Sequence, residues 1–397
     1  MESSMKIKLK FGFFVTAISL LIFGCSVVEQ EIFTNAFEPE PIGFINGLEQ
    51  IKGPWKFQLR DNYAFLADGR NGFVVADISD PESISTVSRL DSSTYTCPKG
   101  ECFLITNNVV LDQNYAYLQE SADRLIIANI TDPTDVSLVT KFSIGDFPNI
   151  NWEDIALSGN HLFVSTKKSG LRVIDVTNKT DPTEVGNYQP SDNELEMSKL
   201  AIHGQYAYVA VKNKDSIPVE YEAEVIENGV TKREAGVYYE DLYGLMIFDI
   251  SAPSTPQLIQ VLEMGERVEN LVLDGHYAYL LLEKSLQIFD ISDPETPKEV
   301  GSYQTEAWTW EIAKHENRIY IANVNRIYVI DVSDPSNPSK IGFLKTSAIG
   351  GSSSFDLAVA DNYLYFSGTF NPTSRSDVIY GLTVIDLNLF PMVENQN

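Results

Sequence analysis

At 397 residues, with 44% hydrophobic and 11% aromatic residues, the chain has the composition of a folded, strand-rich protein, which excludes a disordered one. Its formal charge of -26, from 29 basic and 55 acidic residues, repels phosphate backbones and anionic headgroups and argues against nucleic acid as a partner. Length alone allows two or three ordinary domains or one large all-β unit, so the internal pattern must decide.

The first segment is separate from the rest. Lys6, Lys8 and Lys10 precede the apolar run FGFFVTAISLLIF (11–23), too short to span a bilayer comfortably and of the length of a signal-peptide core. Residues 1–24 therefore read as an export signal. The run ends in LIFGC, with Gly24 directly before Cys25 and aliphatic residues upstream, and on these residues the chain resembles a bacterial lipoprotein. The resemblance implies cleavage before Cys25, lipid on that cysteine and residues 25–40 as a tether. It also implies a place on the bacterial cell envelope, at the outer membrane or cell surface, with the lipid as the only membrane contact. Ordinary signal cleavage nearby is the alternative. The other two cysteines, Cys97 and Cys102 in CPKGEC, would close a small disulfide loop in an oxidising compartment; zinc is the weaker reading, for want of further ligands.

From residue 41 onward one four-part unit recurs. A short strand ending in a tight turn (DIALSGN, NLVLDGH) leads into an aromatic strand (YAFLAD, YAYLQE, HLFVST). An apolar run ending in an acid or amide follows (GFVVADI, GLRVIDV, RIYVIDV), then an Asp-Pro type turn and a fourth strand (EVGNY, EVGSY, KIGFL). The residue that ends the third strand falls at Asp77, Asn129, Asp175, Asp249, Asp290, Asp331 and Asp386, so there are seven units. Their spacing, about 41 to 55 residues and widened once by an insertion, is that of propeller blades rather than helical solenoids. Runs such as LRVIDV and IYVIDV resemble the LVIVD repeat family of bacterial and archaeal cell-surface proteins, which implies a propeller-type repeat and no particular activity.

The seventh unit ends at GLTVIDLNLF without a fourth strand, whereas EPIGFING (40–47) matches PSKIGFLKT (338–346). An unpaired sheet edge is costly, so residues 41–47 are expected to pair with the strand at 383–387. The expected fold is an all-β, seven-bladed β-propeller of four-stranded antiparallel blades over 41–390, closed by that N-terminal strand, with 391–397 as a tail.

The turn acids Asp80, Asp132, Asp181, Asp293 and Asp334 read as scaffold, each carboxylate accepting from amides two residues on beside a proline that presets the turn. The four histidines lie at tight corners of different blades and do not converge, and no serine-elbow, HExxH, phosphate-loop or EF-hand motif is present. No catalytic or metal residue is assigned.

Variation is confined to the connections on one face of the propeller: 91–106, 143–151, 189–197, 345–354, 368–380 and the largest insertion, 213–242. The insertion carries two alternating arms around Asn228-Gly229, a hairpin signal. It is expected beside the channel mouth. Equivalent positions opening the seven inner strands are Lys56, Asn108, Asp154, Lys199, Asn270, Glu311 and Asp356, a polar set expected to ring that mouth. The tryptophans Trp55, Trp152, Trp308 and Trp310 fall in or just before the same strands, either as a sugar platform or amine cage or as fillers between blades. The candidate binding residues are therefore Trp55, Lys56, Asn108, Trp152, Asp154, Lys199, Asn270, Trp310, Glu311 and Asp356. Function tends to sit on variable loops held by a rigid frame, so the expectation is a monomeric module that binds an envelope protein or glycan through this face. The alternative is a hydrolase or lyase using Asp154, Glu311 or Asp356 as general acid or base. No cofactor is expected beyond a calcium ion that these carboxylates could hold.

Overall fold

The computed structural model describes residues 36–37, 43–44, 56–69, 71–91, 104–120, 124–143, 151–191, 195–227, 230–323, 326–345, 351–370 and 379–389. Cys25, Trp55, Cys97 and Cys102 lie outside the described residues. Seven antiparallel sheets follow one another in chain order and form a seven-bladed β-propeller. Each blade has strands a to d from the axis outward; in blade one these are Lys56–Arg60, Tyr63–Ala67, Phe73–Asp77 and Ser85–Leu90. Among the described residues no helix is long and apolar enough to cross a membrane.

Burial explains why the third strands read as continuous apolar runs. Strands b and c are covered on both faces, as in blade two, where Tyr115–Glu120 and Arg124–Asn129 are buried at nearly every position. Seven hydrophobic clusters do this covering, and each is shared by two adjacent blades. The last joins Phe57, Leu66 and Val74 of blade one to Tyr365, Leu382 and Val384 of blade seven, so the apolar circuit has no break. Burying each such side chain contributes about 1.5–3 kcal/mol.

The circuit is fastened by an N-terminal strand, as the repeat arithmetic requires. Strand β1 is Ala36–Phe37 and strand β2 is Gly43–Phe44. Gly43 pairs with Val384 and Phe44 with Thr383, antiparallel, giving blade seven its fourth strand. The pairing of β1 was not expected. Ala36 and Phe37 lie in the stretch read as tether, yet they pair in parallel with Phe343 and Leu344 and give blade six a fifth strand.

Two sets of repeated hydrogen bonds hold the tight corners. The amide after each strand c donates to the carbonyl of the a–b turn, from Ile78 to Asn62 (2.8 Å) through Leu387 to Asn362 (2.7 Å). The terminal acid or amide of strand c accepts from the amide two residues on in all seven blades, as at Asp77 with Ser79 (2.8 Å) and Asn129 with Thr131 (2.9 Å). The Asp-Pro turn acids Asp80, Asp132, Asp293 and Asp334 act as expected. Asp181 does not. In blade three Asn178 holds that turn, accepting from Thr180, and Asp181 lies three residues further along.

Strand d carries a β-bulge at the same point in blades one to six, leaving Val87, Val139, Val185, Ile259, Val300 and Ile341 without a partner residue. All six are β-branched. The residue after the bulge meets the c–d turn of the next blade. Ser88 Oγ accepts from Val136 N–H (3.1 Å) and Gln260 Nε2 donates to the Glu295 carbonyl (2.7 Å). Gly186 and Gly301 solve the same contact by having no side chain: a Cβ on them would lie 2.5 Å from the Pro253 carbonyl oxygen and 2.1 Å from that of Pro335. The insertion lengthens the b–c connection of blade four, with strands Tyr206–Glu227 and Val230–Asp249 on either side of Asn228-Gly229, which lie outside the described residues. Its residues Asn213–Leu242 belong to a separate compact unit.

Two outcomes check this account. Gly301→Ala should lower stability by about 1–3 kcal/mol in urea melts, since the overpacked contact is backbone, while Gly265→Ala, with open space around its Cβ, should leave the midpoint unchanged. Removing residues 1–47 should speed amide exchange in blade seven, whereas removing residues 1–34 should not, because only the first deletion exposes the edge of Ile379–Asp386.

Candidate functional site

The strand-a openings form two hydrogen-bonded polar arcs at the axis. Lys56 Nζ lies 3.0 Å from Glu311 Oε2 and 3.0 Å from Asp356 Oδ1, so one ammonium joins blades one, six and seven. The second oxygen of Asp356 accepts from Phe57 N–H (2.7 Å), and Asn270 Nδ2 donates to Glu311 Oε1. On the other side of the ring Asn108 Nδ2 donates to Asp154 Oδ1 (2.6 Å), which also accepts from Ile155 N–H (2.9 Å). Asp154 Oδ2 accepts from Leu200 N–H (3.1 Å), tying blade three to blade four.

These groups are well buried. The side chain of Lys56 is 23% exposed, Asp356 10% and Glu311 6%. For Glu311, burial pushes the carboxyl up from its ordinary range, Lys56 pulls it down, Asp356 pushes it up again, and the net direction is upward. For Lys56, burial alone would lower the ammonium, but Asp356, Glu311 and Asp154 overcome it and hold it above its usual value. A buried cation shared between two carboxylates is costly to break, because either remnant is left uncompensated.

A cavity of about 320 Å³ opens beside this ring, lined by Lys56, Asn107, Asn108, Gln119, Trp152, Glu153, Lys199 and Glu311. Five of the ten sequence-derived residues thus share one cavity, and Asp154, Asn270 and Asp356 brace it through the bonds above. Trp310 is half-buried in blade six, its backbone N–H donating to the Ala322 carbonyl (3.2 Å), and is not among the lining residues. Trp308 stands 55% exposed with Lys284 Nζ 5.8 Å from its ring centroid. Among the described tryptophans, then, Trp152 alone lines the cavity, and no aromatic cage is formed there. Among the described residues no group of three or more His, Cys, Asp or Glu could hold a metal.

Sequence reasoning missed three lining residues. Asn107 and Glu153 are unpaired bulge residues just before Asn108 and Asp154, and the bulge turns an otherwise outward position into the mouth. Gln119 pairs with Asn108 in strand b, where other blades carry Ala67, Ser165, Leu281, Ala322 or Ser367. That departure from the repeat was the available signal. Gln119 Nε2 donates to the Trp152 carbonyl (2.7 Å), which fixes the amide and leaves its buried Oε1 without a partner.

Seven sheets around a polar axis, uniform at the tight corners and variable in the other connections, define a repeat β-propeller. The LVIVD repeat pattern matches residues 55–92, 105–143, 151–190, 196–216, 241–262, 265–305 and 308–346, and the chain belongs to this family. The seven matches fall on six blades, because the insertion splits blade four and blade seven is unmatched. No curated protein matches the sequence. Among solved structures, the chain is similar in fold to the computationally designed Ika8 protein (12% identity, 88% of this chain and 99% of that one, TM-score 0.55). Raptor of Chaetomium thermophilum is also similar (15% identity, 87% of this chain and 28% of that one, TM-score 0.56). So is PorZ, a surface component of the type-IX secretion system of Porphyromonas gingivalis (12% identity, 85% and 37%, TM-score 0.51).

The ring predicts the behaviour of Lys56→Met. At neutral pH the variant should lose about 3–5 kcal/mol in urea melts, since Glu311 and Asp356 are left buried without their cation. The deficit should shrink on acidification. Without the ammonium, folded Glu311 binds its proton more tightly than the unfolded chain does, so stability rises as pH falls.

Proposed function

We propose that the chain is a binding scaffold, lipid-anchored through Cys25 in a bacterial envelope, that recognises a protein or glycan with the long-connection face of its propeller. The observation that carries this reading is the division of labour in the ring. Asp154, Asp356 and Glu311 spend their oxygens on Lys56, Asn108, Asn270 and backbone amides. A general acid–base pair instead needs groups free to reach a bond in the substrate. Recognition needs only a rigid frame and variable loops, and the repeat supplies both. The segment up to Cys25 supports export and acylation, which would tether the propeller without a spanning helix.

One observation favours the second reading, an extracytoplasmic hydrolase or lyase: Glu311 lines the cavity and burial raises its carboxyl, as a general acid requires. Glu311→Gln would abolish such an activity, and persistence of envelope-partner capture in that variant would favour the scaffold.

The anchor and the face are tested separately. Cys25→Ser should abolish incorporation of labelled palmitate and release the chain from membranes. Replacing residues 189–197 by a short turn, or residues 213–242 by Asn-Gly, should reduce capture of envelope partners at least about tenfold, roughly 1.4 kcal/mol. Changes at the opposite a–b corners, such as His276→Ser, should leave capture intact.

A further inference from the structure

Asp68 follows strand b of blade one and is only 1% exposed, yet among the described residues it forms no ion pair. Its Oδ2 accepts from Asn71 Nδ2 (3.2 Å), and its buried Oδ1 has no hydrogen-bond partner. The matching position in blade two is Glu120, which is just as buried but is compensated by Arg124 and by Lys141 (3.1 Å). In blades three and six the position holds neutral groups that fasten the turn: Thr166 Oγ1 accepts from Ser169 N–H (2.8 Å), and Asn323 Oδ1 from Arg326 N–H (2.9 Å). Where these counterparts are neutral or compensated, Asp68 is neither once it is ionised.

The turn that Asp68 begins ties two blades together. Gly69 N–H donates to the Thr106 carbonyl (2.9 Å) and Thr106 N–H to the Gly69 carbonyl (3.0 Å), a bridge from the b–c turn of blade one to the first strand of blade two. Asp68 N–H and Thr106 Oγ1 both donate to the Gly72 carbonyl. Gly72 has φ +81°, and a Cβ on it would lie 2.2 Å from the Leu90 carbonyl oxygen, so the turn is seated directly on strand d. The blade-two residues packed on the turn, Leu104 and Thr106, carry no charge. Among the described residues Arg89, on strand d of the same blade, is the charged group that acts on the carboxyl, and it does so without forming an ion pair. Burial pushes Asp68 up to about 7 against the pull of Asn71 and Arg89.

We propose that the turn from Asp68 to Gly72 is a proton-operated latch on the long-connection face: it is closed on Thr106 while the Asp68 carboxyl keeps its proton, and released from blade two when that proton is lost. A buried carboxylate without a cation is costly, and hydrating this one means lifting the turn off Thr106. In the lifted turn the carboxyl returns to its ordinary value of about 4, so opening releases a proton. The open fraction therefore grows about tenfold per pH unit between about 4 and 7 and levels off above, where the closed turn is ionised as well. The latch goes beyond the scaffold reading and does not depend on it. It makes this face of the propeller differ between acidic and neutral surroundings.

The test is hydrogen–deuterium exchange of the purified full chain, resolved to single amides and corrected for intrinsic rates, from about pH 5 to about pH 8. Protection of the Gly69 and Thr106 amides should fall about tenfold per pH unit up to about pH 7 and then level off. The Ser169 amide, in the matching turn of blade three, should keep constant protection. Asp68→Asn, neutral at every pH and of nearly the same shape, should make the Gly69 and Thr106 amides as insensitive to pH as Ser169. A second measurement needs no variant: the carboxyl carbon of Asp68, followed by NMR, should titrate near about 7 rather than about 4. Constant protection at Gly69 and Thr106 overturns the latch, as does a fall that Asp68→Asn retains. An equal fall at Ser169 also overturns it, because the effect would then belong to the whole fold, and so does a carboxyl that titrates in the ordinary range.

Discussion

Each blade of this protein is a sheet with two apolar faces, and that single constraint governs the rest. Strands b and c cannot be half-solvated as in a meander with one wet side, so every sheet needs a neighbour on both sides. A row of such sheets always leaves two uncovered faces unless it bends into a circle. The cluster in which Phe57 and Val74 meet Tyr365 and Val384 is where that requirement is met. The two-residue strand at Gly43–Phe44 looks slight, but it acts on a circuit that hydrophobic burial already favours.

Circular closure also decides where chemistry can collect. Only the strand-a openings approach the axis, so residues separated by as many as 300 positions, such as Lys56 and Asp356, come within 3.0 Å. Charges brought together in this way must be compensated by one another. The two acids around Lys56 are therefore part of the structure of the mouth. The ring is asymmetric: blades five to seven and one share a knot of ion pairs and hydrogen bonds around Lys56, and the cavity lies between Lys56 and Glu311 of that knot and residues of blades two to four.

Much of this was legible because repetition averages out local ambiguity. One run like LRVIDV could be a strand or a buried helix segment, but seven at a recurring spacing, five of them followed by an Asp-Pro turn, read as blades. The closing strand was legible because EPIGFING matches another unit's fourth strand. Ala36–Phe37 was not, since two residues carry no periodicity and a parallel partner leaves no hairpin signal. Asp181 misled because Asp-Pro occurs at two places in the turn, and only the structure distinguishes the residue that accepts the amide bond from the one that merely precedes proline. Asn107 and Glu153 were hidden because alternation reverses at a bulge, an event no hydropathy pattern marks.

The bulges in the outermost strands have a bearing beyond the single molecule. A propeller with seven sheets presents seven rims of backbone groups to its surroundings, each a template on which a stranger's strand could grow. With Val87, Val139, Val185, Ile259 and Val300 each interrupting the ladder at its midpoint in blades one to five, an approaching chain would fall out of step after two or three residues, and the two residues of β1 on blade six pair only beyond the bulge at Ile341. A propeller at high concentration would gain solubility from such a rim without the help of a charged fringe or a covering helix.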